Sequence, residues 1–313
     1  MPEYRALRTR YTLLEICRAP EVAIEVTLQP VKRLEVDAAI LFSDLLLPLE
    51  PMGLSFEFVK GEGPSFHEPI RTVADIDRVH AIDPGEAMRH VLDTIRGLKE
   101  VLEVPLIGFV GAPFTLASYA IEGGPSKDFA RTKSMMYTEP EAWHRLCQLL
   151  AEMAGTYLQA QIAAGVDAVQ VFDSWVGHLS PRDYREFALP HTRRVFEHLD
   201  GLDVPSIHFG VGTSMLLPDM AEAGGWVIGA DWRMPLDRAW DAIGPEKAIQ
   251  GNLDPTLLLG PPSRLRAGVE EVLARAGRRP GHVFNLGHGV LPMTPVESVQ
   301  RVAHWVHSLS RTS

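Results

Sequence analysis

Asp44 stands at the end of an uninterrupted apolar run, Ala38-Ala39-Ile40-Leu41-Phe42, with only Ser43 between. A run without polar alternation is what a strand covered on both faces requires. It therefore reads as a buried parallel strand that delivers an acid to its C-terminal end. In a water-poor pocket such a carboxylate can oppose a positive charge and accept N–H donors. The competing reading is a strand-end aspartate that caps the next turn, and residue type alone leaves both standing. Asp173-Ser174 and Gly287-His288-Gly289 close two further apolar runs, and the glycines beside His288 let a ligand approach closely. The other eleven histidines show no ligand spacing and read as surface or satisfied core residues. Phosphate chemistry finds no support, because Gly210-Val211-Gly212-Thr213-Ser214-Met215 fails G-x-G-x-x-G at its last position and no G-K-[ST] loop occurs.

The elements that must position these residues follow a simple order. Pro20 opens a helix that reaches about Leu34 and feeds the Asp44 strand. The glycines and prolines among Phe56, Phe58 and Phe66 predict a loop insertion or hairpin, and Asp83 to Val101 reads as a helix. Strands are then expected at 106–110, 168–172, 206–209, 227–230, 248–250 and 283–286. Helices separate them at 139–164, 181–199, 214–223, 236–243 and 262–276. Alternation of this kind predicts a parallel sheet, and every strand ends in small or polar residues, as the active rim of a barrel does. Seven strands point to a (β/α)8 TIM barrel whose first strand is not in this sequence, within a single α/β unit over 1–313. A doubly wound sheet competes, but it would usually bring a phosphate fingerprint.

Composition narrows the function classes. A formal charge of −10 argues against a nucleic-acid or anionic-membrane surface, so an anionic substrate must be met by locally clustered cations. Two cysteines, Cys17 and Cys147, cannot build a disulfide framework and suit a reducing, cytoplasmic compartment. The longest uncharged stretch, Val104 to Ile121, contains Pro105, Gly108, Gly111 and Pro113, and reads as strand, loop and helix start rather than a membrane span.

Several blocks together resemble one family. They are Glu25-Val26-Thr27-Leu28-Gln29-Pro30, Phe42-Ser43-Asp44, Gly111-Ala112-Pro113-Phe114-Thr115-Leu116, Glu122-Gly123-Gly124, Gln250-Gly251-Asn252-Leu253-Asp254-Pro255 and Asn285-Leu286-Gly287-His288-Gly289. In that order they are similar to the signature blocks of uroporphyrinogen decarboxylase. The resemblance implies a (β/α)8 barrel, usually a homodimer. Its expected activity is conversion of uroporphyrinogen III to coproporphyrinogen III in porphyrin and haem synthesis, with neither metal nor organic cofactor. It implies that Asp44 accepts pyrrole N–H groups and counters a cationic ring, that Tyr119 hydrogen-bonds the substrate near Asp44, and that Ser174 and His288 bind substrate. All four are expected to line one cavity at the C-terminal rim. Against these roles stand a buried tyrosine satisfied by backbone at 119 and a helix-capping serine at 174.

The family also carries an Arg-Gln-Ala-Gly-Arg block ahead of its Pro-Glu-Tyr segment, whereas this sequence opens at Met1-Pro2-Glu3-Tyr4. The expectation is that the chain as given is a poor decarboxylase. Arg5 and Arg8 are the nearest cations left, and they read as solvated or paired with Glu3. Two rival functions remain in view: a non-catalytic tetrapyrrole binder, and a cobalamin-dependent methyltransferase relative. The second needs a His-x-Cys zinc pair, which neither cysteine can supply, since Glu15 and Arg145 occupy the positions two residues before them.

Overall fold

A computed structural model of the chain describes residues 1–277 and 279–311. Among the described residues, β1 (Ala39–Ile40), β4 (Leu106–Gly111), β5 (Ala168–Asp173), β6 (Ser206–Gly210), β7 (Val227–Gly229), β8 (Ala248–Leu253) and β9 (His282–Leu286) form one sheet in chain order. Every pairing is parallel, with Ile40 beside Ile107, Val171 beside His208 and Gly251 beside Phe284. The segment around Gly61 is the expected hairpin, β2 (Phe56–Val59) with β3 (Gly63–Phe66), antiparallel. The seven expected strands are therefore present, in a curled α/β sheet of the TIM-barrel type.

Among the described residues the strand ring stays open between β1 and β9, but the shell of helices closes. In helix Val296–Arg311, Gln300 Nε2 donates to Arg33 O at 2.9 Å, and His307 Nε2 meets the Asp37 carboxylate at 2.9 Å. Arg5 Nη2 adds a bond to Pro292 O at 3.2 Å. The open seam explains one difference from the sequence reading. The Asp44 run was expected to be covered on both faces, yet only Ala39–Ile40 pairs and Ile40 is 49% exposed. With no strand beside it, a sheet edge holds a short ladder and leaves alternate side chains bare, as Val283 of β9 also shows at 46%.

Two helices depart from their expected form. The 83–101 segment breaks at Met88 into Pro84–Ala87 and Arg89–Lys99. The 181–199 segment widens into a π-turn at Tyr184–Ala188, where Leu189 N bonds to Tyr184 O, before helix Leu189–Glu197. Pro190 accounts for the widening, because it lacks an N–H and its ring would clash with the carbonyl four residues back. The buried indole of Trp143 donates to Phe187 O at 2.9 Å within this turn. The largest core cluster packs β4 and β5 against Pro140–Ala164, and a second packs β7 and β8 against Leu236–Ile243, Pro262–Ala276 and Val296–Arg311. No helix among the described residues is long and apolar enough to cross a membrane.

The turns after β5 and β6 interlock at a glycine. A Cβ on Gly177 would stand 2.1 Å from Val211 O and 2.7 Å from the Gly212 carbonyl carbon, both backbone atoms that cannot rotate aside. Gly177→Ala is expected to destabilise the fold by about 1–3 kcal/mol through overpacking. Urea unfolding measures this, and an unchanged midpoint would show that the two turns part freely.

Candidate active site

Because all seven strands run the same way, every segment that follows a strand emerges on one rim. Leu41 N still bonds to Ile107 O at 3.0 Å, and Phe42 N is held by Thr27 Oγ1 at 3.0 Å, so the chain leaves β1 on a fixed course. Tyr157, buried in helix Pro140–Ala164, hydrogen-bonds Ser43. Asp44 follows, half-buried, with Oδ1 accepting from Leu46 N at 2.9 Å. The capping role thus exists, but it occupies one oxygen, and among the described residues no donor reaches the other. Burial pushes the Asp44 carboxyl above its ordinary range, and the Leu46 N–H opposes this.

Tyr119 comes to the same place from helix Pro113–Glu122, which starts on Pro113 directly after β4 and stops at Gly123 with φ 86°. Its hydroxyl is pushed up to about 12, first by burial and then by the Asp44 charge, so the two groups share one electrostatic environment. Its ring lies against Trp175, with centroids 3.7 Å apart at 35°. Ser174, immediately before that indole, is half-buried and caps nothing: the turn Val176–His178 begins at Trp175 without a side-chain cap. The fully buried Asp173 fixes this corner. Thr115 Oγ1 donates to Asp173 Oδ1 at 3.0 Å and accepts from Trp175 N at 3.4 Å.

His288 occupies the other flank of the seam, exposed beyond β9, with its ring edge-on to Trp232 at 6.5 Å and 87°. Tyr119 and Ser174 thus adjoin the Trp175 corner, the Asp44 charge is felt at Tyr119, and His288 stands beside Trp232 at the end of β9. The cavities of 410, 410 and 500 Å³ near Tyr137, His90 and Leu273 are lined by other residues. No three His, Cys, Asp or Glu side chains among the described residues converge as metal ligands.

Arg5 and Arg8 are exposed, as the first of their two expected readings has it. Glu3 pairs with Arg33 at 2.6 Å, not with Arg5 or Arg8. Tyr4 packs on Phe42 at 5.7 Å, which carries helix Pro2–Arg8 to the Asp44 side of the rim. The Cys17 thiol there is pushed up to about 12 by burial and by Asp44, with Arg18 and Arg8 opposing. Sequence reasoning missed Trp175, Trp232 and Arg233. A signal was present, since Asp173-Ser174-Trp175 and Asp231-Trp232-Arg233 each place an aromatic ring just after a strand-end aspartate.

Comparison with known proteins agrees with this architecture. The family model described as "Uroporphyrinogen decarboxylase (URO-D)" matches residues 1–309. A uroporphyrinogen decarboxylase of Sorangium cellulosum is 54% identical over 315 residues, spanning 100% of this chain and 90% of that protein. One from Carboxydothermus hydrogenoformans is 53% identical over the same shares. Among solved structures, a methyltransferase from Methanosarcina mazei superposes with TM-score 0.80 at 21% identity, covering 95% of this chain and 87% of that one, a likeness of fold.

The environment of Asp44 sets a stability test. A carboxyl whose pKa is raised on folding binds protons more readily when folded. Its presence therefore costs stability progressively as pH rises from the unfolded pKa through the folded one, and that cost persists above both. Asn at this position keeps the acceptor for Leu46 N and drops the charge. Asp44→Asn is expected to melt above wild type at neutral pH and to lose that advantage below about pH 4. Thermal melts across pH decide it, and a lower melting point at pH 7 would mean that the carboxylate is stabilised by its surroundings.

Proposed function

This chain belongs to the uroporphyrinogen decarboxylase family, and from that premise we propose that it converts uroporphyrinogen III to coproporphyrinogen III by decarboxylating its four acetate side chains, in porphyrin and haem synthesis. The chemistry accounts for the residue types. Protonating a pyrrole on its α-carbon makes the ring a cation. The bond from the acetate methylene to its carboxylate then breaks, the electron pair enters the ring, and carbon dioxide leaves. A proton on the freed methylene, with loss of the proton first added, restores a neutral pyrrole that now bears a methyl group. The ring is its own electron sink, so the step requires no added cofactor.

Asp44 is the residue we assign to the cationic ring, accepting its N–H groups through the oxygen that Leu46 leaves free. That one uncapped oxygen, on a carboxyl that burial already perturbs, is the observation that carries the reading. In a poorly hydrated corner its attraction for a cation is stronger than in water. Tyr119 is assigned to hydrogen-bond the substrate beside it, and Ser174 and His288 to hold carboxylates. The methyltransferase alternative rests on fold alone, whereas the relatives that match this chain at about half identity bear the decarboxylase name. A homodimer is the proposed assembly. Met215, Val290 and Met293 follow strand ends on the rim and are 75%, 53% and 71% exposed, which suits a face that another subunit covers. A cytoplasmic setting fits Cys17 and Cys147, which are both free and buried.

Asp44→Asn keeps the cap and removes the charge, so turnover is expected to fall about a hundredfold or more while substrate binding changes much less. Coproporphyrinogen formation by the matched pair of proteins measures this. Near-wild-type turnover in the Asn variant would reduce Asp44 to a turn cap.

A further inference from the structure

The proposed substrate carries eight carboxylates, yet the strand ends of this rim supply carboxylates of their own at Asp44, Asp173 and Asp231. A cation must face the substrate somewhere, and the loop after β7 presents one. Asp231 is 3% exposed and saturated on both oxygens: Oδ1 accepts from Arg233 N at 2.9 Å, and Oδ2 accepts from Gly212 N and from Arg233 Nη1. Its backbone carbonyl takes a further bond from Asn252 Nδ2 at 2.8 Å, so the anchor is fixed. The Arg233 guanidinium lies over the Trp232 indole with its central carbon 4.2 Å from the ring centroid, and the opposing His288 ring meets the same indole. The Arg233 side chain is still 48% exposed, and among the described residues its Nε and Nη2 have no partner.

We propose that Arg233 is a carboxylate-receiving residue of the substrate site, acting with His288 across Trp232. This rests on the uroporphyrinogen reading above and adds to it a cation on the His288 side of the rim, away from Arg8 and Arg18 near Asp44. The physical case is preorganisation. A guanidinium held through one nitrogen by a buried carboxylate, and seated over an indole, has lost most of its rotamer freedom before a ligand arrives. Its remaining edge is a planar pair of donors that matches a carboxylate in bidentate fashion. The Asp231 charge is already shared between two backbone N–H groups and Arg233, so the pair is not closed to a second anion.

The test is equilibrium binding of uroporphyrin, the oxidised and unreactive macrocycle with the same eight carboxylates, followed by tryptophan quenching, alongside steady-state turnover of uroporphyrinogen. Arg233→Gln is expected to raise both the uroporphyrin Kd and the KM about tenfold or more and to flatten the salt dependence of Kd, with kcat little changed. Arg96→Gln, on the outer helix Arg89–Lys99, controls for net charge and should leave Kd alone. A folded Arg233→Gln protein with wild-type Kd and KM overturns the proposal. Should that variant not fold, Arg233→Lys decides. It keeps the charge for Asp231 but loses the fork, and a several-fold weaker Kd supports the assignment while a wild-type Kd overturns it. Coproporphyrin, which retains only propionates, locates the contact: weakening for both macrocycles assigns a propionate, and weakening for uroporphyrin alone assigns an acetate. Wild-type protein that binds uroporphyrin without turning over uroporphyrinogen would sink the decarboxylase reading, and the same titration would still decide Arg233.

Discussion

The packing of the last helix against the first elements of the chain is the constraint on which the remainder of this structure depends. Among the described residues no strand ladder joins β1 to β9, so the ring closes through Gln300 on the Arg33 carbonyl, His307 on Asp37 and Arg5 on the Pro292 carbonyl. Each of these is solvent-exposed and individually weak, worth about 1 kcal/mol or less. The apolar side of helix Val296–Arg311, with Val302 buried among Leu253, Leu258 and Leu265, supplies the steadier contribution. Asp44 and His288 flank the same seam only because these contacts bring the two ends of the sheet round to one another.

One rim holds three aspartates, and their surroundings give them different characters. Asp173 is wholly buried, with Oδ1 taken by Thr115 and Oδ2 standing 3.9 Å from His208 Nε2. Its negative charge adds to burial in pushing the Tyr184 hydroxyl and the Cys147 thiol well above their ordinary values, which suits a structural anchor. Asp231 is saturated by two backbone N–H groups and an arginine. Asp173 Oδ2 also lacks a hydrogen-bond partner but is sealed in the core, whereas the free oxygen of Asp44 belongs to a half-buried residue. A buried carboxylate with all its partners costs little, and a partly unpaired one that solvent still reaches is available to a ligand.

Aromatic packing turns these anchors into a wall. Trp175 lies between Tyr119 at 3.7 Å and Phe129 at 4.8 Å, and Phe129 in turn meets His178 at 4.5 Å. The segment after the hairpin braces the helix that carries Tyr119: Ile70 N bonds to Ala120 O at 2.9 Å, and Arg71 reaches the terminal carbonyls of Ile121 and Glu122. A cation at a helix C-terminus satisfies carbonyls that the helix itself cannot. The insertion between β1 and β4 therefore contributes to the site by holding one tyrosine in place.

The alternation of strand and helix, the parallel sheet of seven strands and the polar end of each strand were all legible in the sequence. They depend on periodicity and turn chemistry within a few residues of chain. Asp44 was legible for the same reason, since an apolar run that stops at a carboxylate is a local pattern. The exposure of Ile40, the pairing of Glu3 with Arg33 and the widening of the helix at Tyr184 were not, because each depends on what lies beside the element. The same holds for Trp175, Trp232 and Arg233. Their parts in the rim come from Tyr119, His288 and Gly212, which the chain brings to them only after other elements have been laid between. Periodicity reports which face of an element is covered. Which charge meets which partner is decided by packing between distant segments, and that exists only once the helical shell has closed.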